Sequence, residues 1–286
     1  MKNSMEKIAK WIVDMLPAAH TWVEPFAGGC AVTHAAILSG KYKRFIINDI
    51  TDSAKVFVDA INGKFKNENR WISRSDFLEL KDEDAYVRLC FSFGNDQKTY
   101  CYSREIEPYK RAFHYAVMFN DFKPFEELGI QLNVSKTFNS YYERRMHIKR
   151  LLIAIRKNKH AGDLQSLQSL ESLERLQRLQ RLECFSTDYQ NVEIKKDSVI
   201  YCDIPYEGTD GYTVGSFGVE RFYSWCEKQT EPLFISSYKM PEDRFVCVAT
   251  FEHRSLLSAT TKNKVLEKVF IPKHQKFINK QLTFCF

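Results

Sequence analysis

Four adjacent residues are suited to activating an amine. Asp203, Ile204, Pro205 and Tyr206 directly follow an apolar run, 198–202, that is typical of a buried strand. Such a strand end places the Asp203 carboxylate and the Ile204 carbonyl side by side at a sheet edge, while the proline stiffens the turn. Two acceptors on the N–H groups of an aromatic amine localise the nitrogen lone pair for attack on an electrophile. Tyr206 is placed to stack on the ring that carries the amine, although a strand-terminating turn with an incidental aspartate has the same pattern.

A second group of residues is suited to binding a nucleotide-like ligand. The segment 23–32 joins a strand end, the glycines Gly28 and Gly29, and a helix start. Glycines allow the main chain to approach a ligand closely, and the helix start offers free N–H groups. Asp49 ends the next predicted strand, where a carboxylate accepts hydrogen bonds from ribose hydroxyls, although a helix N-cap is an equal explanation. Asp188 precedes a further strand and is placed to accept hydrogen bonds from the adenine of such a ligand.

The elements that position these residues begin in β-α-β-α order. Apolar periodicity predicts a first set of helices and strands, namely helices at 8–16, 31–38 and 53–61 and strands at 21–26 and 44–47. Strand-like runs return late in the chain, at 198–202, 232–236, 245–249 and 269–271. This order is typical of open parallel sheets that hold a nucleotide at their carboxyl edge. We therefore predict one α/β core, residues 1–64 and 186–286, interrupted by an inserted domain of residues 65–185.

The inserted segment has no βαβ repeat. Residues 141–160 form a basic, partly amphipathic pattern that suits either phosphate contact or a solvated face, and 91–102 predict a hairpin between aromatic residues. The low-complexity tract 164–182 carries seven leucines at every third position. A three-residue step drifts around a 3.6-residue helix and leaves no stable apolar face. We therefore predict an irregular insert that takes no part in the chemistry.

Composition restricts the class of protein. The 286 residues carry a formal net charge of +6, and the sequence pI of 8.8 suits a polyanionic partner but is also common in soluble proteins that bind none. The eight cysteines form no CxxC pair, so no zinc site or redox motif is indicated. The absence of a long apolar run or a signal-like segment leads us to expect a cytoplasmic protein with no membrane partner.

The motifs taken together are specific. Six segments, in this order, resemble the Dam-like family of adenine-N6 DNA methyltransferases, with phage-type members as the most similar: EPFAGG, INDI, FSTDYQNVEI, YCDIPYEGT, FISSYKMPEDR and NKVLEKVFIP. The resemblance covers both ends of the chain and implies a Rossmann-like, S-adenosylmethionine-dependent methyltransferase core with an inserted, mainly helical target-recognition domain. It implies methyl transfer to adenine N6 in double-stranded DNA by a monomer that uses no metal ion, in a bacterial cell or a phage-infected host.

The resemblance also assigns roles to residues. It implies a cofactor-binding set of Glu24, Pro25, Phe26, Ala27, Gly28, Gly29, Asn48, Asp49, Ile50, Asp188, Tyr189 and Asp203. It implies a catalytic set of Asp203, Ile204, Pro205 and Tyr206.

Three departures from the family pattern keep other functions open. Ile204 stands where the family usually has a proline, Cys30 stands where it often has a glycine, and the usual N-terminal Tyr-x-Gly-Gly-Lys is missing. Isoleucine keeps the main-chain carbonyl, so activity is still expected. Cytosine-N4 methylation, methylation of an amide or an RNA base, and a catalytically inert DNA-binding protein are the alternatives.

Overall fold

A computed structural model gives the fold. It describes residues 4–93, 96–132, 134, 137–138, 140–154, 181–204, 217–254 and 264–275. The chain divides into two compact units. The first consists of Met1–Val58 and Leu179–Phe286, and the second of Asp59–Arg178.

The first unit is built on a seven-stranded sheet. Its strands are β1 (Thr21–Glu24), β2 (Arg44–Asn48), β3 (Leu182–Phe185), β4 (Ser198–Asp203), β5 (Leu233–Ser237), β6 (Phe245–Arg254) and β7 (Lys264–Pro272). Their order across the sheet is β3-β2-β1-β4-β5-β7-β6. The first five strands run parallel, and β7 runs antiparallel to both β5 and β6. The predicted Rossmann-like α/β class is confirmed, and the strand order reverses between β1 and β4, where ligands of open parallel sheets bind.

The predicted and observed boundaries of the insertion differ. We predicted a division at 64/65 and 185/186, whereas the units divide at 58/59 and 178/179. The second boundary lies earlier than predicted because β3 pairs with β2, in register from Phe45↔Leu182 to Asn48↔Phe185. Residues 182–185 therefore belong to the sheet.

Helices cover both faces of the sheet, and side-chain alternation divides the core accordingly. The helices of this unit are α1 (Ser4–Met15), α2 (Ala31–Ser39), most of α3 (Ser53–Ile61) and α9 (Val219–Cys226). Trp22, Tyr201 and Phe234 share one apolar cluster with α1 and α2. Val23 and Ile200 point the other way into a second cluster, to which α9 contributes. Successive residues of a strand face opposite sides, so each strand fills both clusters.

The second unit is mainly helical where the structure describes it. Its helices are α4 (Arg74–Leu80), α5 (Ala85–Cys90), α6 (Glu107–Phe119), α7 (Lys123–Glu127) and α8 (Tyr141–Ala154). A capping box of Ser73 and Asp76 begins α4, and Asp84 caps α5. The predicted hairpin contains a single antiparallel bridge, Ser92↔Tyr100. Residues 155–160 of the basic segment and 164–180 of the leucine tract lie outside the described residues.

Helix length and polarity also bear on membranes. Among the described residues, the longest helix, α8, has 14 residues. No helix found there combines the length and the apolar character needed to cross a bilayer.

Candidate active site

The strand that leads into the glycine turn and the strand that ends at Asp203 meet at one edge of the sheet. β1 and β4 are parallel neighbours in register, with Val23 opposite Ile200. Glu24 and Asp203, the last residues of these strands, therefore lie at the same carboxyl edge although most of the chain separates them. The negative charge of Asp203 helps to raise the pKa of Glu24, which agrees with this proximity. The strands that carry the glycine turn and the aspartate motif are thus brought together.

Glu24 is a buried carboxyl group. It is 1% exposed, and burial is the main cause that raises its pKa to about 8. The Thr33 hydroxyl donates a hydrogen bond to Glu24 Oε2, and Trp22 Nε1 lies 3.3 Å from the same oxygen. These bonds favour the charged form but do not outweigh desolvation. Glu24 thus joins the end of β1 to the first turn of α2.

The glycine turn has a left-handed main chain at two positions. Gly28 has φ +48°, and nothing lies within 4 Å of the place where a Cβ would stand, so the conformation rather than lack of space favours glycine. Cys30 has φ +60° immediately before α2, with its N–H donated to the Ala27 carbonyl at 2.7 Å. The family's glycine at this position would adopt that conformation without strain. The buried Cys30 side chain occupies the space instead.

Asp49 holds the glycine turn. Its Oδ2 accepts a hydrogen bond from the Gly28 N–H at 2.8 Å. Its Oδ1 accepts two more, from the N–H of Thr51 at 2.9 Å and from the Thr51 hydroxyl at 2.6 Å. A carboxylate has about four lone-pair positions, so acceptor capacity is left for a ribose hydroxyl. Asp49 can therefore position the turn and touch a ligand together.

Asn48 binds three loops of the edge to one another. It is 1% exposed. Its Nδ2 donates to the carbonyl of Pro25 at 2.9 Å and to that of Thr187 at 3.0 Å. Its Oδ1 accepts from the Thr187 N–H at 3.0 Å. Both amide hydrogens are thus used inside the protein, so Asn48 positions the three loops, and its predicted contact with the cofactor stays a prediction.

The other predicted members of the turn differ in exposure. Pro25 and Ala27 are buried, so they act through their main chains: the Pro25 carbonyl accepts from Asn48, and the Ala27 N–H donates to the Asn48 carbonyl at 2.8 Å. Gly29 is exposed. Ile50, which directly follows Asp49, is 55% exposed.

An aromatic cluster lies beside the turn. Phe26 packs on Tyr189 with ring centroids 5.0 Å apart, and both contact Phe222. The Tyr189 hydroxyl is buried and has no hydrogen-bond partner among the described residues, and burial raises its pKa to about 12. A buried donor of this kind is costly unless a ligand or water satisfies it. The Tyr189 hydroxyl is therefore a candidate hydrogen-bond donor to water or to a bound group.

Asp188 is held beside this cluster. It accepts a hydrogen bond from the Gln190 N–H at 3.0 Å and pairs with Arg221 at 2.9 Å. The Arg221 guanidinium also lies over the Tyr189 ring, 5.6 Å from its centroid. Arg221 was not predicted, because the pairing depends on α9 and leaves no local pattern in the sequence.

The acceptor motif is described in part. Asp203 is half-buried at the end of β4, and Ile204 is 5% exposed in the apolar cluster that α9 closes. An apolar side chain at position 204 is thus explained by packing, while its carbonyl belongs to the main chain. Pro205 and Tyr206 lie outside the described residues.

Two further residues at the edge were not in the predicted site. Phe185 ends β3 and is 43% exposed beside Asp49, whose N–H donates to the Phe185 carbonyl at 3.3 Å. Tyr238 directly follows β5 and is 44% exposed. The available signal was an aromatic residue directly at or after a strand end.

These residues are suited to binding a nucleoside. The left-handed turn lets main chain approach a ligand, Asp49 has acceptor capacity for a ribose hydroxyl, exposed Ile50 and Phe185 can flank a purine, and the Tyr189 hydroxyl has no partner among the described residues. Within the described ranges, no three His, Cys, Asp or Glu side chains come together as a metal site.

Comparison with known proteins identifies a family. The model of the family described as D12 class N6 adenine-specific DNA methyltransferase matches residues 4–230. A search of curated protein sequences finds no match.

Two solved structures match over most of this chain. The rRNA methyltransferase aviRa from Streptomyces viridochromogenes has 12% identity and a TM-score of 0.37, with 94% of this chain and 83% of that chain covered. Sp1610 of Streptococcus pneumoniae, described as a tRNA methyltransferase, has 7% identity and a TM-score of 0.34, with 97% and 73% covered. Likenesses this remote do not bear on the substrate of the present chain.

Proposed function

The chain belongs to the D12 class N6 adenine-specific DNA methyltransferase family, and from this membership we propose that Glu24, Asp49 and Asp203 mark a single active site. The protein methylates the N6 amine of adenine in DNA, with S-adenosylmethionine as the methyl donor. One observation carries the assignment of the site: β1 and β4 are neighbours, so the glycine turn and the aspartate motif share an edge.

The ends of β1, β2 and β3 form the cofactor side of this site. S-adenosylmethionine, when bound, supplies a methyl group made electrophilic by its sulfonium. Asp49 accepts hydrogen bonds from the ribose, Ile50 and Phe185 flank the adenine, and the Asp188 and Tyr189 segment contacts the adenine edge. Glu24 and the Gly28 turn bind the methionine part, and Asn48 keeps the three loops in place.

The end of β4 forms the acceptor side. The Asp203 carboxylate and the Ile204 carbonyl accept hydrogen bonds from the two N6 hydrogens and direct the nitrogen lone pair toward the methyl group. Tyr206, outside the described residues, stacks on the adenine after the base leaves the helix. The reaction is a direct displacement in which Asp203 accepts the proton that N6 loses. It requires no metal ion.

The second unit recognises double-stranded DNA in this proposal. Two arginines of α8 serve its packing: Arg144 donates to the carbonyl of Val117 at 2.9 Å, and Arg145 is 3% exposed. Arg150 of the same helix is exposed and suits phosphate contact. We further propose that the protein acts as a cytoplasmic monomer.

A pair of substitutions tests the division of the site. Asp203→Ala removes one acceptor from the reacting amine, and we expect kcat to fall roughly 10²–10³-fold, as for removal of one preorganised group. The cofactor Kd should stay within about threefold, because the residues proposed to bind the ribose and adenine are unchanged. Asp49→Ala removes hydrogen bonds to a charged group and should weaken cofactor binding about tenfold or more, with kcat at saturating cofactor largely kept.

The measurement uses labelled cofactor, mixed-sequence duplex DNA and identification of the methylated base. Label in N4-methylcytosine, or normal turnover by Asp203→Ala, would contradict the proposal. Calorimetric titration of cofactor into each variant supplies the Kd. Leu38→Ala, at an exposed position near the opposite end of α2, serves as the control.

A further inference from the structure

Tyr238 directly follows β5 at the same edge of the sheet as Asp203. We propose that Tyr238 contacts the target adenine and forms an outer wall of the acceptor side, an inference that rests on the active site proposed above. The residue follows β5 directly and is 44% exposed at the carboxyl edge. An aromatic ring left open at the edge where a base must enter is suited to stacking on that base.

Strand alternation places Tyr238 on the same face of the sheet as Asp203. Tyr201 and Phe234 lie in the cluster on the α1 side, so Asp203, two residues after Tyr201, points to that side. Tyr238 lies four residues after Phe234 and directly after the end of β5, and its electrostatic interactions with Asp203 and Glu267 agree with a position on that side. The charge of Asp203 acts on the Tyr238 hydroxyl and, with burial and Glu267, raises its pKa.

Strand register fixes the distance between the two groups. Asp203 is the partner of Ser236, so Tyr238 lies one strand to the side of Asp203, about 5 Å away, and two residues further out, about 7 Å. A phenol ring bridges such a span. An adenine whose N6 is bound at Asp203 thus has the Tyr238 ring within reach.

The neighbouring strand supports the ring from its other side. The last pair between β5 and β7 is Ser237↔Lys268, so the next residues outward, Tyr238 and Glu267, stand opposite each other. Opposed side chains of an antiparallel pair have Cβ atoms about 5 Å apart. β7 continues outward from Lys268 to Lys264, paired with β6, and so extends past the end of β5. The ring is therefore flanked by Asp203 on one side and by a two-stranded ribbon on the other.

The charge of this row suits a base and not a phosphate. Asp203 on β4 and Glu267 on β7 place carboxyl groups on the two sides of Tyr238. Like charges repel the DNA backbone at short range, whereas a neutral adenine is accepted. The uncharged aromatic ring between these two carboxyl groups is suited to stacking on a neutral base, so the target base is its expected partner.

The test separates base contact from cofactor binding. Sequencing of modified DNA first locates the methylated adenine, and a short duplex with that site is used for single-turnover transfer. Tyr238→Ala should slow transfer roughly 5- to 150-fold, the range expected for loss of one base–aromatic stack. Tyr238→Phe keeps the ring and should restore most of the rate. 2-Aminopurine at the target position reports how far the base leaves the helix, and the Tyr238→Ala complex should show a changed signal.

The outcomes are distinct. Transfer by Tyr238→Ala at the wild-type rate, or a loss of cofactor affinity that accounts for the slower rate, would overturn the proposal. Equal losses in Tyr238→Phe and Tyr238→Ala would also do so, because the ring would then not be the contacting group. Asp203→Ala in the same series keeps the two ideas apart: its full activity would refute the proposed active site itself. Leu38→Ala again serves as control.

Discussion

The two sides of the carboxyl edge are built differently. On the cofactor side, Asp49 accepts a hydrogen bond from the Gly28 N–H, and Asn48 donates to the carbonyls of Pro25 and Thr187. Nearly every participating group is buried or half-buried. On the acceptor side, the half-buried Asp203 ends β4 and the exposed Tyr238 directly follows β5. A small ligand can be enclosed by loops held in advance, whereas a DNA base must enter from outside and needs an open side.

We expect the substitution Asn48→Ala to have the largest effect, because this side chain holds the loops of the cofactor side together. Asn48→Ala leaves the buried groups of Pro25 and Thr187 without their partners, at about 1–3 kcal/mol for each unsatisfied group. We expect the free energy of unfolding to fall by roughly 3 kcal/mol or more in urea titrations. Cofactor affinity should also fall, while the rate at saturating cofactor changes little.

Asn191 provides the matched control for that change. Its exposed amide makes one 3.3 Å bond, to the Thr187 hydroxyl, and Asn191→Ala should change stability by less than about 0.5 kcal/mol. Equal effects of the two substitutions would mean that the three loops are not held by Asn48.

Glu24 connects the two sides through charge. Its pKa of about 8 in the folded protein lies above the ordinary value of 4.5. The unfolded chain therefore loses its proton first as pH rises, and the stabilisation present below about pH 4.5 declines up to about pH 8. The slope is at most about 1.4 kcal/mol per pH unit. Thermal unfolding of wild type and Glu24→Gln between pH 5 and 8 should show a smaller pH dependence in the variant.

Asp203→Asn tests whether the charge of Asp203 contributes to the raised pKa of Glu24. Removal of the neighbouring negative charge should lower the pKa of Glu24, so the decline in stability should begin at the same pH but end at a lower one. An unchanged profile in this variant would show that the two carboxyl groups act independently, and the two sides of the edge would then not be coupled.

The smallest expected effect concerns Ile204. Its buried side chain packs in the core, whereas its carbonyl is assigned to the reaction. Ile204→Val should therefore lower the free energy of unfolding by about 1 kcal/mol and leave the single-turnover rate within about twofold. A large loss of rate without loss of stability would show that the side chain, and not the carbonyl alone, acts in the acceptor site.

The sequence predicted those parts of the fold that depend on neighbouring residues. The strand, glycine turn and helix from β1 to α2 follow from local apolar patterns and turn residues, and the strand that carries Asp203 was predicted within one residue. The fold class followed from the order of these elements. These elements can be predicted because apolar periodicity and turn residues within the segment itself determine them.

Features that depend on distant pairing were missed. β3 has four residues in a stretch without alternation, and only its pairing with β2 makes it a strand. Asp49 was predicted as a ribose contact from its place after β2, but its bond to Gly28 requires two loops to meet. Tyr238 gained its place beside Asp203 from the register of β4 with β5 and of β5 with β7.

The position of β1 between β2 and β4 has a consequence for synthesis on the ribosome. More than 170 residues separate the end of β1 from β4, which at about 5–20 residues per second takes roughly 10–35 s to translate. During this interval one side of β1 has water in place of its later strand partner, and an open strand edge invites pairing with other nascent chains. The inserted unit emerges complete in the meantime. The β1–β4 edge is thus completed only after the inserted unit has been made, around a strand that was among the first to be synthesised.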